Sequence, residues 1–114
     1  MKRIEIIIPD RKLHDLNAVL KEANVGGMNY HRIDGRGKTK AQPIAVGRGV
    51  MHYTPEFIPR LKVEVIVRDD QVDAIVSKVM EKVGGDPSAG GKIFVSEVSS
   101  VVDLATGKKG EEVI

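Results

Sequence analysis

Leu61-Lys-Val-Glu-Val-Ile-Val-Arg-Asp-Asp-Gln-Val-Asp-Ala-Ile-Val-Ser-Lys-Val-Met-Glu-Lys-Val-Gly84 changes its hydrophobic period part-way along. Leu61, Val63, Val65 and Val67 alternate with Lys62, Glu64 and Ile66, the period of a strand with one apolar face. This predicts a strand over 61–68. From Val72 the apolar residues return every third or fourth position, at Val72, Ile75, Val76, Val79, Met80 and Val83, which is the stripe of an amphipathic helix. Asp69-Asp70 is placed to cap that helix, and Gly84-Gly85-Asp86-Pro87 to stop it.

The N-terminal part repeats the scheme. Residues 2–8 carry Ile4, Ile6 and Ile8 on one face of a strand, which Pro9-Asp10 ends. Leu13, Leu16, Leu20 and Ala23 mark a helix over 11–24, halted by Gly26-Gly27, and a second strand is expected over 28–34. Residues 35–60 then lose all periodicity and hold four glycines and three prolines, reading as a long loop of the size that is usually functional or disordered. A shorter glycine loop (84–91) leads into a fourth strand, Lys92-Ile-Phe-Val-Ser-Glu-Val98, and the tail (99–114) reads as a short strand or turn with a polar end. The order is βαβ, long loop, βαβ, with halves of similar length. The fold class is α+β: a ferredoxin-like antiparallel sheet of four strands with both helices on one face, and 1–114 as one domain.

The other face of that sheet would carry Arg3, Glu5 and Ile7 from the first strand and Lys62, Glu64 and Ile66 from the third. Such a face suits solvent, or packing against further copies of the chain with ion pairs setting the register. A two-layer domain this small gains from covering it, so a homo-oligomer is expected.

Composition excludes several classes of function. The 114 residues include no cysteine, which removes disulfide scaffolds, thiol catalysis and cysteine-ligated metals. Eighteen basic against sixteen acidic residues leave a net charge of +2, too even for a general nucleic-acid binder. No apolar run approaches membrane length, and Ile6-Ile7-Ile8 is too short for a signal-peptide core, so a cytoplasmic protein without direct membrane insertion is expected. Gly85-Asp-Pro-Ser-Ala-Gly-Gly-Lys92 has the wrong spacing for a phosphate-binding Walker loop, lacks its Ser/Thr and precedes a strand. His14, His31 and His52 lack metal-ligand spacing, so no metal site from protein side chains is expected. No nucleophile–base constellation is present, and an enzyme is not expected.

The chemistry left is that of the two glycine loops. From Gly35 to Pro55 there is no acidic residue, while Arg36, Lys38, Lys40 and Arg48 are basic. Gly90, Gly91 and Lys92 add a second element. Glycine backbones let N–H groups approach an anion, and the cations supply the field. In this topology both loops can reach a shared crevice at a subunit edge.

Taken together these stretches resemble the PII family of nitrogen regulatory signal proteins. The likeness runs over essentially the whole chain: Met1-Lys-Arg-Ile-Glu-Ile-Ile-Ile-Pro9, Gly27-Met28, Gly35-Arg-Gly-Lys38, Arg48-Gly49, Pro59-Arg-Leu-Lys-Val-Glu64, Asp69-Asp-Gln-Val-Asp73, Gly91-Lys-Ile-Phe-Val95 and Thr106-Gly107. The resemblance implies a compact homotrimer whose inter-subunit clefts bind an adenine nucleotide, ATP or ADP with AMP as a further candidate, and in many members Mg-ATP with 2-oxoglutarate. A long T-loop (about 37–56) would dock on a protein target such as an ammonium channel or a nitrogen-assimilation enzyme, the former bringing the protein to the membrane periphery. By position, Ile7, Met28, Asn29, Gly35, Arg36, Gly37, Lys38 and Ile66 would line the nucleotide site, with Ala89, Gly90, Gly91 and Lys92 from the second loop. Thr39, Lys40 and Arg60 would form the 2-oxoglutarate region, and Tyr53 falls where some members carry a modifiable tyrosine.

The departures from the family pattern are specific. Thr39 replaces a usual Gln, Arg60 a Lys, and Ala89-Gly90-Gly91-Lys92 the usual Gly-Asp-Gly-Lys. Asp103 and Ala105 stand where two arginines usually reach the phosphates. Losing two charge-assisted hydrogen bonds costs about 3–6 kcal/mol, or about 10²–10⁴ in affinity. Weakened triphosphate and 2-oxoglutarate binding is therefore expected. The alternative function is a PII-like sensor rewired to AMP, a cyclic nucleotide or bicarbonate. A nucleic-acid-binding module is disfavoured by the charge balance and by having only Phe94 and Tyr30 as strand aromatics.

Overall fold

The computed structural model describes residues 1–38, 44–46, 51–53 and 55–114. Six strands run in chain order: β1 (Lys2–Ile8), β2 (Asn29–Gly35), β3 (Ile44–Val46), β4 (Met51–Tyr53), β5 (Ile58–Val67) and β6 (Lys92–Glu97). Two helices join them, α1 (Leu13–Glu22) and α2 (Val72–Lys82). The main sheet has the order β2-β5-β1-β6 and is antiparallel throughout, while β3 and β4 pair as a separate two-stranded ribbon. This is the expected ferredoxin-like arrangement.

The core confirms why the two periods alternate. Ile4, Ile6 and Ile8 of β1 meet Leu61, Val63, Val65 and Val67 of β5 on one face, all buried. Leu16, Val19 and Leu20 of α1, Ile75 and Val79 of α2, and Val83 just past the end of α2 cover that same face. Each such aliphatic side chain contributes about 1.5–3 kcal/mol when withdrawn from water. Val19 joins the stripe although the sequence reading passed over it. Met80, assigned to the buried stripe, is 52 % exposed at the helix edge.

The element ends correct the reading in detail. Both helices start through a 3-10 turn, Asp10–Lys12 before α1 and Asp69–Gln71 before α2. Neither Asp69 nor Asp70 caps α2. The Gln71 side chain accepts the Arg68 N–H at 3.0 Å, and Asp69 pairs with the Met1 amine at 2.9 Å. α1 stops before Gly26-Gly27, at Asn24, which takes the left-handed conformation (φ 58°). Val25 N–H then donates to Leu20 C=O and Asn24 N–H to Lys21 C=O, the paired bonds that close a helix at a left-handed residue. β5 begins at Ile58, earlier than expected, because β2 pairs with it back to Gly35↔Ile58. Pro59 is tolerated there, since the β1–β5 pairing begins only at Leu61 and β5 has a strand on one side. The stretch read as wholly structureless contains β3 and β4. The tail forms one bridge, Val102↔Lys109, around a tight turn and ends in a 3-10 turn at Glu111–Val113.

Candidate functional site

A cavity of about 370 Å³ opens where the start of β5 and the end of β2 meet the second glycine loop. Its floor is apolar: Ile7 of β1, Ile33 of β2, Ile58 of β5 and Phe94 of β6. These lie on the sheet face opposite the helices, brought together by register, with Ile7 opposite both Lys62 and Lys92, and Ile33 opposite Arg60. Its rim is cationic: Arg36 and Lys38 follow β2, Arg60 rises from β5 and Lys92 opens β6. Gly35, Gly37, Ala89, Gly90 and Gly91 complete the lining. Both glycine loops thus reach one crevice.

Gly91 is required by close packing. Its φ is +98°, and a Cβ added there would stand 2.4 Å from the Ile7 carbonyl oxygen. Only glycine lets the loop cross β1 this closely before β6 starts.

The second loop differs from the expected cradle of N–H groups. Ala89 N–H and Gly90 N–H both donate to the Asp86 carbonyl, at 3.1 and 3.3 Å. Ser88 N–H donates to the Asp86 carboxylate at 3.0 Å, and the Ser88 hydroxyl donates to the same oxygen at 2.6 Å. Three N–H groups, that of Gly90 among them, are thereby occupied within the loop, while four side-chain cations line the cavity rim. Asp86 is held from outside as well, by Arg11 at 3.2 Å and Lys12 at 3.9 Å. The Ser88 hydroxyl bond, then the Ser88 N–H and the two cations, lower its pKa below the ordinary 3.8, against a desolvation effect that raises it. Arg60 donates to Ala89 C=O at 3.4 Å, tying β5 to the loop. Arg36 pairs with Glu56 at 2.9 Å.

The residues named from sequence divide clearly. Ile7, Gly35, Arg36, Gly37, Lys38, Arg60, Ala89, Gly90, Gly91 and Lys92 all line the cavity. Met28, Asn29 and Ile66 do not. Met28 packs against the core, Asn29 opens β2 opposite Glu64, and Ile66 lies on the open sheet face opposite Arg3. Ile66 is four residues along β5 from Lys62, the partner of Ile7, which is about 13 Å of strand. Asp103 and Ala105 are also outside the cavity lining; the Asp103 carboxylate accepts the Ala105 N–H within the tail turn. Thr39 and Lys40 lie outside the described residues, as does the side chain of Tyr53 in β4. Sequence reasoning missed Ile33, Ile58, Phe94 and Glu56. Continuing the alternation of β5 back across Pro59, through Lys62 and Arg60 to Ile58, would have found the second of these.

Comparison with known proteins now decides the family. The family model described as Nitrogen regulatory protein P-II matches residues 1–108. The chain belongs to the nitrogen regulatory protein P-II family. It is 39 % identical to the Nitrogen regulatory protein P-II of Microchaete diplosiphon and 39 % identical to that of Synechocystis sp., in each case over 114 residues and the full length of both chains. It is 33 % identical over the same span to the Nitrogen regulatory protein P-II 1 of Escherichia coli. Membership makes this a nitrogen-regulation signal protein of a non-enzymatic family. Among the described residues, no helix is long and apolar enough to cross a membrane, and no group of three His, Asp or Glu is placed to hold a metal ion.

Proposed function

We propose that this P-II protein senses adenine nucleotides, ATP or ADP, in the cationic cavity and transmits their binding to a nitrogen-metabolism target through the segment 37–56. The observation that carries this reading is the pairing of an apolar floor (Ile7, Ile33, Ile58, Phe94) with a rim of four cations (Arg36, Lys38, Arg60, Lys92) in a space of about 370 Å³. A base and ribose suit the floor, and a polyphosphate suits the rim. The chain supplies binding and orientation only. A nucleotide shifts the segment by as much as it binds one of its states better than the other.

The working unit in this reading is a homotrimer of one 1–114 domain per chain. Ile7 and Ile66 stand at opposite ends of the open sheet face, so a single chain cannot close both groups around one ligand. A neighbouring chain would supply Met28, Asn29 and Ile66 to the cavity of the first. Thr39, Lys40 and Arg60 form the proposed 2-oxoglutarate region, Tyr53 the proposed recognition or modification point, and an ammonium channel or assimilation enzyme the target class.

A second reading is favoured by the occupied N–H groups of the 84–91 loop. With fewer backbone donors, the cavity suits a less charged anion: AMP, a cyclic nucleotide or bicarbonate. Calorimetric titration with ATP, ADP and AMP, each with and without Mg²⁺ and 2-oxoglutarate, separates the two. Micromolar or tighter ATP or ADP binding that falls about 10–100-fold in Lys92→Ala supports the first. No heat with ATP or ADP, and heat with one of the smaller anions, replaces it by the second.

A further inference from the structure

We propose that Glu56 is a built-in competitor for the anion: it holds Arg36 while the cavity is empty and must give that guanidinium up when an anionic group binds. The inference rests on the cavity being an anion site, and it adds the residue that tunes that site.

The placement is specific. Arg36 and Glu56 are twenty residues apart in sequence, yet Arg36 Nη1 donates to Glu56 Oε1 at 2.9 Å. They stand at the two ends of the stretch that leaves β2 and re-enters at β5. No acidic residue occurs from Gly35 to Pro55, so Glu56 is the first carboxylate the chain meets after leaving the cavity rim. Among the described residues, Arg36 is also the one rim cation for which a carboxylate partner is recorded; Lys38, Arg60 and Lys92 have none. The pair therefore withdraws one of the four rim charges from a ligand.

Its strength suits exchange. Both side chains are about two-thirds exposed, 66 % and 65 %, so the pair is solvent-screened and holds Arg36 only weakly. A phosphate carries more charge than a carboxylate and can take the guanidinium through two parallel N–H bonds. Exchange leaves Glu56 without its partner, so the ligand acts on both ends of the stretch at once. By linkage, what the pair costs the ligand is also what the ligand can return to the loop base, a factor of about two to five.

Calorimetry on the full-length protein tests this, with ATP and inorganic triphosphate as probes and four proteins: wild type, Glu56→Gln, Arg36→Gln and the double variant. Glu56→Gln is expected to tighten both probes about two- to fivefold. Arg36→Gln is expected to weaken them and to abolish the gain from Glu56→Gln in the double variant. ATP binding that Glu56→Gln leaves unchanged or weakens overturns the inference while the nucleotide reading stands. An equal gain in the Arg36→Gln background also overturns it, by reducing Glu56 to general repulsion. If ATP fails to bind but triphosphate shows the Arg36-dependent gain, the nucleotide reading falls and the competitor role of Glu56 holds. If neither anion binds to any of the four proteins, both fall.

Discussion

At the scale of single residues, the second loop concentrates the most demanding chemistry. Gly91 combines a positive φ with an approach to the Ile7 carbonyl that no Cβ tolerates. Gly91→Ala must therefore move the loop away from β1 or break the first β1–β6 pair, at a cost of about 1–3 kcal/mol from the backbone conformation alone. Thermal unfolding should record this as a drop of several degrees, and nucleotide titration as weaker binding, because Lys92 is the next residue. An unshifted melting temperature would mean that the loop has room the geometry denies. Asp86 makes the complementary prediction. Its pKa is lowered in the fold, so its ionised form adds stability that is present above its unfolded pKa near 3.8 and is lost as pH falls through the lower folded value. Asp86→Asn should be less stable than wild type at neutral pH. The difference should shrink as acid protonates the wild-type carboxyl below pH 4, which parallel melts from pH 7 to pH 3 would follow. A constant gap across that range would assign the effect to lost packing instead of lost charge.

At the scale of elements, the helices and the two central strands were legible in the sequence because each buries one unbroken face. Ile4, Ile6 and Ile8 leave no other register for β1, and the stripe from Val72 to Val83 leaves no other face for α2. Ile75, 1 % exposed and central to that stripe, tests the layer directly. Ile75→Ala should destabilise the protein by about 2–5 kcal/mol, measured by urea denaturation with an unchanged slope, since α2 cannot collapse onto the hole without leaving β1 and β5. The illegible parts share a different cause. Asn24 ends α1 by adopting a conformation that asparagine tolerates and glycine merely prefers, so Gly26-Gly27 drew attention away from it. Ile58 was hidden behind Pro59, whose usual meaning is the end of a strand. Arg36, Lys38 and Lys92 could be named from the two glycine loops and Arg60 from the family resemblance, whereas Glu56 could not: its partner is twenty residues away, and only the β2–β5 pairing brings the two loop ends together. Asp86 was read as a helix stop because its role depends on Arg11 and Lys12, which approach it only once α1 is packed.

At the scale of the whole molecule, the proposed assembly rests on the open face of the sheet. Glu5 and Glu64 are direct cross-strand partners, a like-charge pairing that alone disfavours the β1–β5 register. The face corrects it diagonally: Arg3 pairs with Glu64, and Lys62 approaches Glu5 at 3.9 Å. Ile66 and Ile7 sit at opposite ends of this ladder, half-buried, with nothing from the helices above them. The proposed trimer would cover that face, and it predicts a solution mass near three times the 12.4 kDa of one chain by light scattering. Ile66→Lys tests the face itself. Ile66 points away from the core, so the fold should survive, but the new ammonium would lie directly opposite Arg3. Burying it there unpaired costs several kcal/mol, enough to dissociate the assembly. Circular dichroism should stay native while the mass falls to that of one chain, and nucleotide affinity should fall with it, because the cavity then lacks its neighbour's contribution. A trimer that tolerates Ile66→Lys would place the interface elsewhere. A wild-type monomer that still binds ATP tightly would show the single-chain cavity to be complete.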